Sequence, residues 1–308
     1  MIHSVAIVGA GTMGNGIAQV CGQGGLTVRL IDPVAAALAK AEDNMVRNIQ
    51  LLIDNGLLNS SVETVMEKVS FSDRLDTAES ADLVIEAIPE KFQLKQQLFQ
   101  QLEQICSSRA ILASNTSGIP ITRIANTIGT PERVIGTHFY MPAHLIPLVE
   151  VIQTEHTSEP VIEETMNFLT TLGKTPVRVR KDIPGFIGNR LQHALAREAM
   201  SLLGQGVASA EDIDAVVKTS LALRLVFTGP VEQRDFNGLD IHLSIAEYLY
   251  PDLENTTEPL EILKSKVAAN ELGIKTGKGF YDWRDKNIPE IQAKKNQELI
   301  NLLKIIKD

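Results

Sequence analysis

A glycine-rich turn close to the start of the chain constrains the fold more than any other feature of the sequence. An apolar run at residues 5–8 leads into Gly9-Ala10-Gly11-Thr12-Met13-Gly14, and a second apolar run ends at Asp32. A strand, a glycine turn, a helix and a second strand that ends in an acid form the βαβ unit that binds dinucleotides. The alternative interpretation is a glycine-rich loop that holds no ligand.

Each glycine of the turn meets a different steric demand. Gly9 permits the tight turn, Gly11 lets the backbone approach a pyrophosphate, and Gly14 lets the helix pack closely on the strand. The phosphates would lie at the N-terminus of the helix that Thr12 and Met13 open, where unpaired N–H groups attract anions. These five residues are therefore the first part of the predicted cofactor site.

Asp32 indicates which dinucleotide is bound. Its carboxylate would accept hydrogen bonds from the hydroxyls of the adenosine ribose, and it would repel a 2′-phosphate. The next residue is Pro33 and not an arginine that could hold such a phosphate. The sequence therefore predicts NAD, rather than NADP, as the cofactor.

Composition and charge argue against several classes of protein. The 308 residues are 44% hydrophobic and 22% charged, which is ordinary for a globular protein of two domains, and no membrane-spanning stretch is apparent. The apolar start lacks a basic leader and a cleavage site, so no secretory signal is expected. The formal net charge of -9 argues against a nucleic acid as partner, because phosphate binding draws on basic clusters.

The two cysteines predict a reducing compartment. Cys21 and Cys106 lie in apolar helical surroundings, and we interpret them as buried free thiols. Neither has the spacing to a second cysteine or to a histidine that is typical of a metal site. The chain is therefore expected to be cytoplasmic and to hold no metal ion.

Apolar runs alternate with helical patterns through the first 182 residues. The segments 33–55 and 91–105 carry apolar residues at helical spacing, so both helices are expected to face a core. Strands that alternate with helices predict an α/β fold with a doubly wound, Rossmann-type parallel sheet. The predicted strands are residues 4–9, 27–32, 69–72, 82–88, 110–114, 133–139, 148–153 and 175–180.

The pattern changes at residues 181–185, where Lys-Asp-Ile-Pro-Gly follows the last predicted strand. We expect a Rossmann domain over 1–183 and a smaller all-α domain over 184–308. The long apolar first helix of this second domain is of the kind that serves both as core and as oligomer contact. The predicted helices of the second domain are residues 186–204, 210–220, 238–250, 258–271 and 288–306.

His138 and Glu150 are the candidate catalytic pair. His138 stands near the end of one predicted strand, and Glu150 lies within the next apolar run. If the two strands are neighbours, the carboxylate would bind one ring nitrogen and raise the basicity of the other. The alternative for His138 is a histidine of the core whose hydrogen bonds are all made and which has no catalytic role. A buried Glu150 would need a partner in either case.

Two polar segments complete the candidate site. Residues 114–117, Ser-Asn-Thr-Ser, follow a strand, so Ser117 would lie at the carboxyl end of the sheet, where ligands bind. The alternative is that the segment caps the next helix. Asn189, in the segment 184–190 that opens the second domain, could face the cleft, or it could be an exposed amide on a helix.

Taken together, these motifs resemble those of the 3-hydroxyacyl-CoA dehydrogenase family and cover nearly the whole chain in the family's order. The resemblance rests on the glycine turn with Asp32, on Ile85-Glu-Ala-Ile-Pro-Glu90 with Lys95, on Ser114-Asn-Thr-Ser117, on His138 with Glu150, on Pro184-Gly-Phe-Ile-Gly-Asn-Arg190, and on Lys275-Thr-Gly-Lys-Gly-Phe-Tyr281.

The resemblance implies a role for each of these residues. His138 would be the general base that takes the proton of the substrate hydroxyl while a hydride passes to the nicotinamide, and Glu150 would orient it. Ser117 and Asn189 would contact the substrate oxygens. The resemblance also implies a homodimer formed by the helical domains. Further cofactor contacts are implied for Glu90, Lys95, Ser117 and Lys275.

The chain departs from the family pattern at two places. The family's His-Phe-Phe-Asn-Pro is His-Phe-Tyr-Met-Pro here, so Met141 replaces an amide that reaches cofactor and substrate in the family. The family members that use CoA carry a serine and lysines after the second strand, whereas no Lys or Arg occurs between Arg47 and Lys68. Loss of these cations should weaken the binding of the CoA phosphates.

The sequence leaves three functions open. The family's usual substrate predicts oxidation of a short 3-hydroxyacyl-CoA such as 3-hydroxybutyryl-CoA. The missing lysines favour the branch that acts on free hydroxy acids or alcohols such as gulonate, carnitine or a pyridine carboxylate. There His144, Arg190 and Arg224 are candidates to hold a carboxylate, although a structural ion pair explains Arg224 equally well. The third alternative is a structural protein that binds NAD without catalysis.

Overall fold

The first part of the chain forms one eight-stranded sheet. The computed structural model describes residues 1–307. All eight predicted strands are present, each within two residues of its predicted bounds. The strands are β1 (Ser4–Val8), β2 (Thr27–Ile31), β3 (Val69–Ser72), β4 (Leu83–Glu86), β5 (Ile111–Ser114), β6 (Val134–Phe139), β7 (Leu148–Ile152) and β8 (Thr175–Val179).

Six α-helices connect or flank these strands, and seven follow them. The first six are α1 (Thr12–Gln23), α2 (Ala35–Asp54), α3 (Val62–Met66), α4 (Phe92–Ile105), α5 (Ile121–Ala125) and α6 (Glu159–Thr171). The others are α7 (Gly188–Gly204), α8 (Ala210–Val216), α9 (Ala222–Leu225), α10 (Glu232–Asn237), α11 (Leu239–Leu249), α12 (Glu261–Ala268) and α13 (Ile288–Lys307).

The strand order confirms the doubly wound fold, and the strand pairing shows that one pair is antiparallel. The order is β3-β2-β1-β4-β5-β6-β7-β8, with β1 in the interior and the chain winding outward on both sides. The strands β1 to β6 are parallel, but β7 runs antiparallel to β6, and β8 is parallel to β7. The segment 140–147 between β6 and β7 is too short for the crossover that a parallel pair needs, so the chain turns back.

The two faces of the sheet are covered by different helices. Side chains alternate along β1, where Val5 and Ile7 join one apolar cluster and Ala6 and Val8 join the other. The first cluster includes residues of α1, α2, α3 and α6, and the second includes residues of α4 and α5. A sheet covered by helices on both faces presents only its strand ends to ligands.

The amphipathic pattern of α2 illustrates how these helices bury one face. Its buried residues follow helical spacing, and the opposite face is polar. Ser61 begins the next helix, α3, because its hydroxyl accepts a hydrogen bond from the Thr64 N–H at 3.1 Å. The buried residues of α2 are Ala41, Met45, Ile49 and Leu52.

The structure separates into two compact units. The first consists of Met1–Asn189 and the residues from Glu298 onward, and the second consists of Arg190–Gln297. The predicted domain boundary between 183 and 184 stays a prediction. The compact units differ from it, because residues 184–189 and the end of α13 belong to the first unit.

The helices of the second half largely agree with the predicted segments. The helical region predicted over 210–220 extends to Leu225 in the structure and is irregular. The helix α8 continues through a π-helical stretch, Val217–Leu221, into α9. The short helix α10 was not predicted, because its sequence contains no apolar period. No helix within residues 1–307 has the length and apolar character needed to span a membrane.

The two cysteines are free and buried, as predicted. Burial raises the pKa of the Cys21 thiol to about 12 and that of Cys106 to about 11. Both groups are therefore protonated and unreactive at neutral pH.

The turn between β1 and α1 is as tight as the glycine pattern predicts. Gly9 has a φ of +108°, a region that glycine adopts readily. A Cβ atom on Gly14 would lie 1.7 Å from the Gly9 carbonyl oxygen, so the helix approaches the turn more closely than any side chain allows. A Cβ on Gly11 would meet no atom of the described chain within 4 Å. Gly11 therefore faces open space.

The end of α13 packs against the first unit. Ile300 is fully buried in an apolar cluster with Leu52 and Leu145. Leu52 lies in the last turn of α2, and Leu145 lies between β6 and β7. Ile300 in α13 is therefore part of the core of the first unit.

The glycines of the turn should respond differently to a methyl group. We expect G14A to lower the free energy of unfolding by about 1–3 kcal/mol, because its Cβ overlaps a backbone oxygen. The matched variant G11A should change it by less than about 0.5 kcal/mol. Urea unfolding of both variants measures the difference, and equal losses would contradict the close approach of α1 to the turn.

Truncation of Ile300 tests the packing of α13. We expect I300A to destabilise the protein by about 2–5 kcal/mol, as is usual when a buried aliphatic side chain is removed. The control I305A changes the same helix at a side chain that is 64% exposed, and it should cost less than about 0.5 kcal/mol. If thermal unfolding could not separate the two variants, the C-terminal helix would not belong to the core.

Candidate active site

The antiparallel pairing of β6 and β7 brings the predicted catalytic pair together. His138 and Glu150 are direct partners in the register, and both side chains are buried. The His138 Nδ1–Glu150 Oε2 distance is 2.8 Å. Since an ionised carboxylate can only accept, Nδ1 carries the proton of a neutral imidazole, and Nε2 is the basic nitrogen.

The Glu150 carboxylate receives four hydrogen bonds. His138 Nδ1 and the Tyr140 hydroxyl, at 2.9 Å, donate to Oε2. The backbone N–H groups of Ile187 and Gly188 each donate to Oε1 at 2.9 Å. Burial alone would raise the pKa of Glu150, but these four donors outweigh it and lower the pKa. Glu150 is therefore ionised at neutral pH although it is buried.

A strained turn after β8 supplies the two N–H donors. Gly185 and Phe186 have φ values of 76° and 50°, so two consecutive residues adopt left-handed conformations. Phe186 is fully buried, and its ring centroid lies 5.7 Å from that of His138. Burial of this ring compensates for a backbone conformation that is unfavourable for a residue with a side chain. The turn directs the N–H groups of the next two residues at Glu150.

Side chains at the end of β5 and just after it link the candidate catalytic pair to the ends of the neighbouring strands. Asn115 Oδ1 accepts a hydrogen bond from the Phe139 N–H, next to His138, at 2.9 Å. Ser114 donates its hydroxyl proton to Glu86 Oε2 at 2.6 Å. Glu86 ends β4, so the carboxyl ends of β4, β5 and β6 are joined through side chains.

Ser117 and Asn189 lie side by side. The Asn189 Nδ2 atom donates to the Ser117 carbonyl oxygen at 2.7 Å. The Ser117 N–H donates to Glu90 Oε1 at 3.0 Å, and Ser117 itself is exposed. The alternative of Ser117 as a helix cap does not apply, because the first turn of the following helix, α5, is capped by Asp182, whose Oδ2 accepts a hydrogen bond from the Thr122 N–H at 2.7 Å. Two predicted site residues from different motifs therefore meet.

Lys95 is buried between two carboxylates. Its Nζ atom lies 2.6 Å from Glu86 Oε1 and 3.1 Å from Glu90 Oε2, and it also donates to the Ile88 carbonyl at 3.3 Å. Its side chain is only 1% exposed, although the resemblance implied a cofactor contact. Burial would raise the pKa of Glu90, but the hydrogen bond from the Thr116 hydroxyl and the charge of Lys95 lower it. Lys95 therefore holds the protein's own acids in place.

The glycine turn and Asp32 form one feature of the surface. Asp32 Oδ2 accepts a hydrogen bond from the Ala10 N–H at 2.8 Å, and Oδ1 accepts one from the Val34 N–H at 2.9 Å. No side chain caps α1, so its first N–H groups are available beside the open space above Gly11. This cradle fits the pyrophosphate of a dinucleotide, with Asp32 beside it for a ribose.

Three of the predicted residues lie in or begin the second unit. Lys275 and Arg190 are exposed. Arg224 is also exposed, and its guanidinium is 3.2 Å from the Ser220 hydroxyl. The roles given to these three residues stay predictions.

His144 does not suit the role of a cation for a carboxylate. It lines a cavity of about 560 Å³ together with Gln23 and several leucines. Burial, and to a smaller extent the charge of Lys174, lowers the pKa of His144 to about 4. The imidazole is therefore neutral at neutral pH and carries no charge that could attract a carboxylate.

Sequence reasoning missed two contributors to the site. Tyr140 donates to Glu150, and Glu86 binds Lys95 and Ser114. Glu86 could have been found, because an acid inside an apolar strand needs a partner, which is the argument already applied to Glu150. Met141, which replaces the family's amide, is 68% exposed.

Comparison with known domain families identifies both halves of the chain. Residues 4–183 match the family described as "3-hydroxyacyl-CoA dehydrogenase, NAD binding domain". Residues 185–283 match the family described as "3-hydroxyacyl-CoA dehydrogenase, C-terminal domain". The predicted cofactor, NAD, is thus confirmed.

Two relatives illustrate the range of the similarity. The 5-formyl-3-hydroxy-2-methylpyridine 4-carboxylate 5-dehydrogenase of Mesorhizobium japonicum is 35% identical over an alignment of 310 positions, which covers 99% of this chain and 99% of the relative. A probable 3-hydroxybutyryl-CoA dehydrogenase of Bacillus subtilis is 40% identical over 290 residues, covering 92% of this chain and 99% of the relative.

Solved structures give the same two kinds of relative. A crystal structure of the pyridine-carboxylate enzyme, described as an NAD+-dependent dismutase, aligns with a TM-score of 0.93 at 34% identity, covering 100% of this chain and 99% of that one. The (S)-3-hydroxybutyryl-CoA dehydrogenase of Ralstonia eutropha aligns with a TM-score of 0.77 at 36% identity, covering 92% and 99%. The chain belongs to the 3-hydroxyacyl-CoA dehydrogenase family and is an NAD-dependent oxidoreductase that acts on CH–OH groups.

Proposed function

We propose that the chain oxidises a hydroxyl group on a small substrate that carries a free carboxylate, with His138 as the base. The observation that carries the catalytic part is the buried His138–Glu150 pair, whose Nδ1–Oε2 distance is 2.8 Å. NAD, when bound, supplies the acceptor for the hydride. The chain's own residues handle the proton.

The hydrogen bond of His138 to Glu150 supports Nε2 as the atom that takes and returns the proton. Because Nδ1 is bound to Glu150, Nε2 is free to accept the proton of the substrate hydroxyl. The imidazolium that forms is stabilised by the Glu150 carboxylate, which is already ionised. In the reverse direction the same nitrogen returns the proton to the oxygen of a carbonyl.

Ser117 and Asn189 are proposed to hold the oxygens of the substrate. The exposed Ser117 can offer its hydroxyl as a donor, and the hydrogen bond from Asn189 to the Ser117 carbonyl fixes the two residues relative to each other. Two groups held in one geometry can fix the substrate hydroxyl against His138 with less loss of entropy than two independent contacts.

The cofactor is proposed to lie on the glycine turn. Gly9, Gly11 and Gly14 shape the cradle, and Asp32 stands beside it for the ribose hydroxyls. The main-chain N–H groups of Thr12 and Met13 belong to the uncapped first turn of α1 and would contact the pyrophosphate. Glu90 is half-exposed at the adjoining strand end and would contact the cofactor directly, whereas the buried Lys95 would act by holding Glu90. Lys275 is proposed as a further cofactor contact from the second unit.

The free-acid substrate is favoured by a segment of the first unit without basic residues and by the extent of the similarity. No Lys or Arg occurs between Arg47 and Lys68, and Arg47 donates to Asn44 within α2. The pyridine-carboxylate relative matches 99% of the chain, whereas the Bacillus relative leaves 8% unmatched. A substrate of the first kind could be a hydroxy acid or the hydrate of an aldehyde, each of which has a CH–OH group.

A 3-hydroxyacyl-CoA is the second candidate substrate. It is favoured by the 40% identity to the probable 3-hydroxybutyryl-CoA dehydrogenase. This substrate would require that cations elsewhere in the chain hold the phosphates of CoA.

We further propose that the chain works as a cytoplasmic homodimer. The compartment is proposed because both cysteines are free. The dimer is proposed because the helices of the second unit expose many large apolar side chains, which a contact between proteins would cover. The most exposed of these residues on helices are Val216, Leu223, Phe236, Leu239, Leu243 and Tyr248.

A substrate panel tests the proposed specificity. We expect NADH formation, followed at 340 nm, to be at least tenfold faster with one free acid than with L-3-hydroxybutyryl-CoA. The panel contains 3-hydroxybutyrate, gulonate, carnitine, and pyridine 4-carboxylates with a hydroxymethyl or formyl group. Preference for the thioester would contradict the free-acid proposal. Absence of turnover with every compound would instead favour a protein that binds NAD without catalysis.

Replacement of His138 tests the proposed base. We expect H138Q to lower kcat at least a thousandfold, because glutamine can form hydrogen bonds but cannot take the proton at neutral pH. NAD should still raise the melting temperature, since His138 is not part of the cofactor cradle. The control is H156Q, which changes a histidine paired only with the exposed Glu155. Wild-type turnover by H138Q would mean that another group is the base.

A further inference from the structure

Tyr140 shares an oxygen of Glu150 with the catalytic histidine. Its hydroxyl donates to Glu150 Oε2 at 2.9 Å, and His138 Nδ1 lies 2.8 Å from the same atom. The rings of Tyr140 and His138 are also in contact, with their centroids 4.5 Å apart. Tyr140 therefore touches both members of the pair.

The Tyr140 hydroxyl occupies space that a side chain at position 188 would fill, and Gly188 has no side chain. A Cβ atom on Gly188 would lie 1.9 Å from the hydroxyl oxygen and 2.8 Å from the ring carbon that bears it. The N–H of the same residue donates to the other oxygen of Glu150. Gly188 thus supplies one donor and makes space for another.

The strength of the Tyr140 hydrogen bond depends on the charge of His138. When His138 is neutral, Glu150 is an uncompensated buried anion, and a hydroxyl donor binds it strongly. When His138 is an imidazolium, the pair is already neutral overall, and the same hydroxyl gains less. The hydrogen bond therefore stabilises neutral His138 more than it stabilises the imidazolium.

We propose that Tyr140 is a positioning residue that acts through Glu150 to keep His138 in its neutral, basic form at lower pH than the pair alone would allow. The proposal rests on the proposed role of His138 as the base. Tyr140 would let oxidation proceed at neutral pH, because only unprotonated His138 can accept the hydroxyl proton.

The surroundings of the pair contain few other groups that could produce this effect. On β8, Glu150 is paired with the apolar Val177. From the turn after β8, Phe186 contributes an apolar ring against His138, and the N–H groups of Ile187 and Gly188 bind Glu150. Burial and the neighbouring Glu150 raise the pKa of Tyr140, so its hydroxyl keeps its proton and remains a donor.

The proton affinity of His138 can be measured without any substrate. The probe is the ring 13C–1H resonance of His138 in the free protein, which contains six histidines; the resonance is assigned by its absence in H138Q. We expect Y140F to raise the titration midpoint of His138 by about 0.5–1 pH unit, the size of effect that loss of one hydrogen bond to a charged group can give. With any substrate of the panel that is turned over, the acidic limb of kcat/KM for oxidation should move to higher pH by the same amount.

Two further variants make the experiment specific. A water molecule could replace the hydroxyl in Y140F, so we also test Y140F/G188A, in which the added methyl group takes the space of the hydroxyl. Its carbon would start 2.8 Å from the ring carbon, so the ring must move by a few tenths of an ångström, and the variant should then give the full shift. The matched control is Y281F, which removes a tyrosine hydroxyl that donates at 3.0 Å to Asp214 in the second unit. Y281F should leave the His138 midpoint unchanged.

The outcomes separate this proposal from the proposed function. A midpoint that moves by less than about 0.2 pH units in both Y140F and the double variant would overturn the role of Tyr140, even if H138Q abolishes turnover. Wild-type turnover by H138Q would remove the proposed base, whereas the titration would still report whether Tyr140 controls the protonation of His138. A purely structural role for Tyr140 would alter stability without moving the midpoint.

Discussion

A carboxylate buried inside a sheet must be satisfied by hydrogen bonds, and at Glu150 this requirement organises the site. Its four donors come from β6, from the residue just after β6 and from the turn after β8. Each of these hydrogen bonds stabilises the carboxylate more in the buried site than it would in water. Loss of any donor would leave part of the negative charge without a partner. The left-handed Phe186 is tolerated for the same reason, because its strained turn directs two N–H groups at the carboxylate.

The sheet and the pairing of His138 with Glu150 could be predicted because both follow from local patterns. Buried parallel strands are continuous apolar runs, and a glycine turn with an acid at the end of the next strand is confined to one kind of βαβ unit. The reversal of β7 and β8 was also within reach, since the segment 140–147 is too short for a crossover. A site at the carboxyl ends of the strands follows from the fold itself.

Other features could not be predicted, because they depend on contacts between segments far apart in the chain. The place of the Tyr140 hydroxyl requires a residue without a side chain at position 188, and no periodicity connects those two positions. The burial of Lys95 likewise depends on the end of β4 and on the segment after it. The cofactor contact that the resemblance implied for Lys95 stays a prediction, and in the structure its ammonium group binds Glu86 and Glu90.

The buried state of Lys95 has a consequence for how the chain would meet its cofactor. Its one positive charge faces the two negative charges of Glu86 and Glu90, so this group presents a net negative charge to the strand ends. The glycine turn contains no lysine or arginine, and the whole chain carries a formal charge of -9. Phosphates would therefore be recognised by backbone dipoles, whose field falls away within about one helical turn. An anionic dinucleotide would receive little long-range attraction from these strand ends, and its capture there would depend on diffusion and fit, with little acceleration to lose when salt is added.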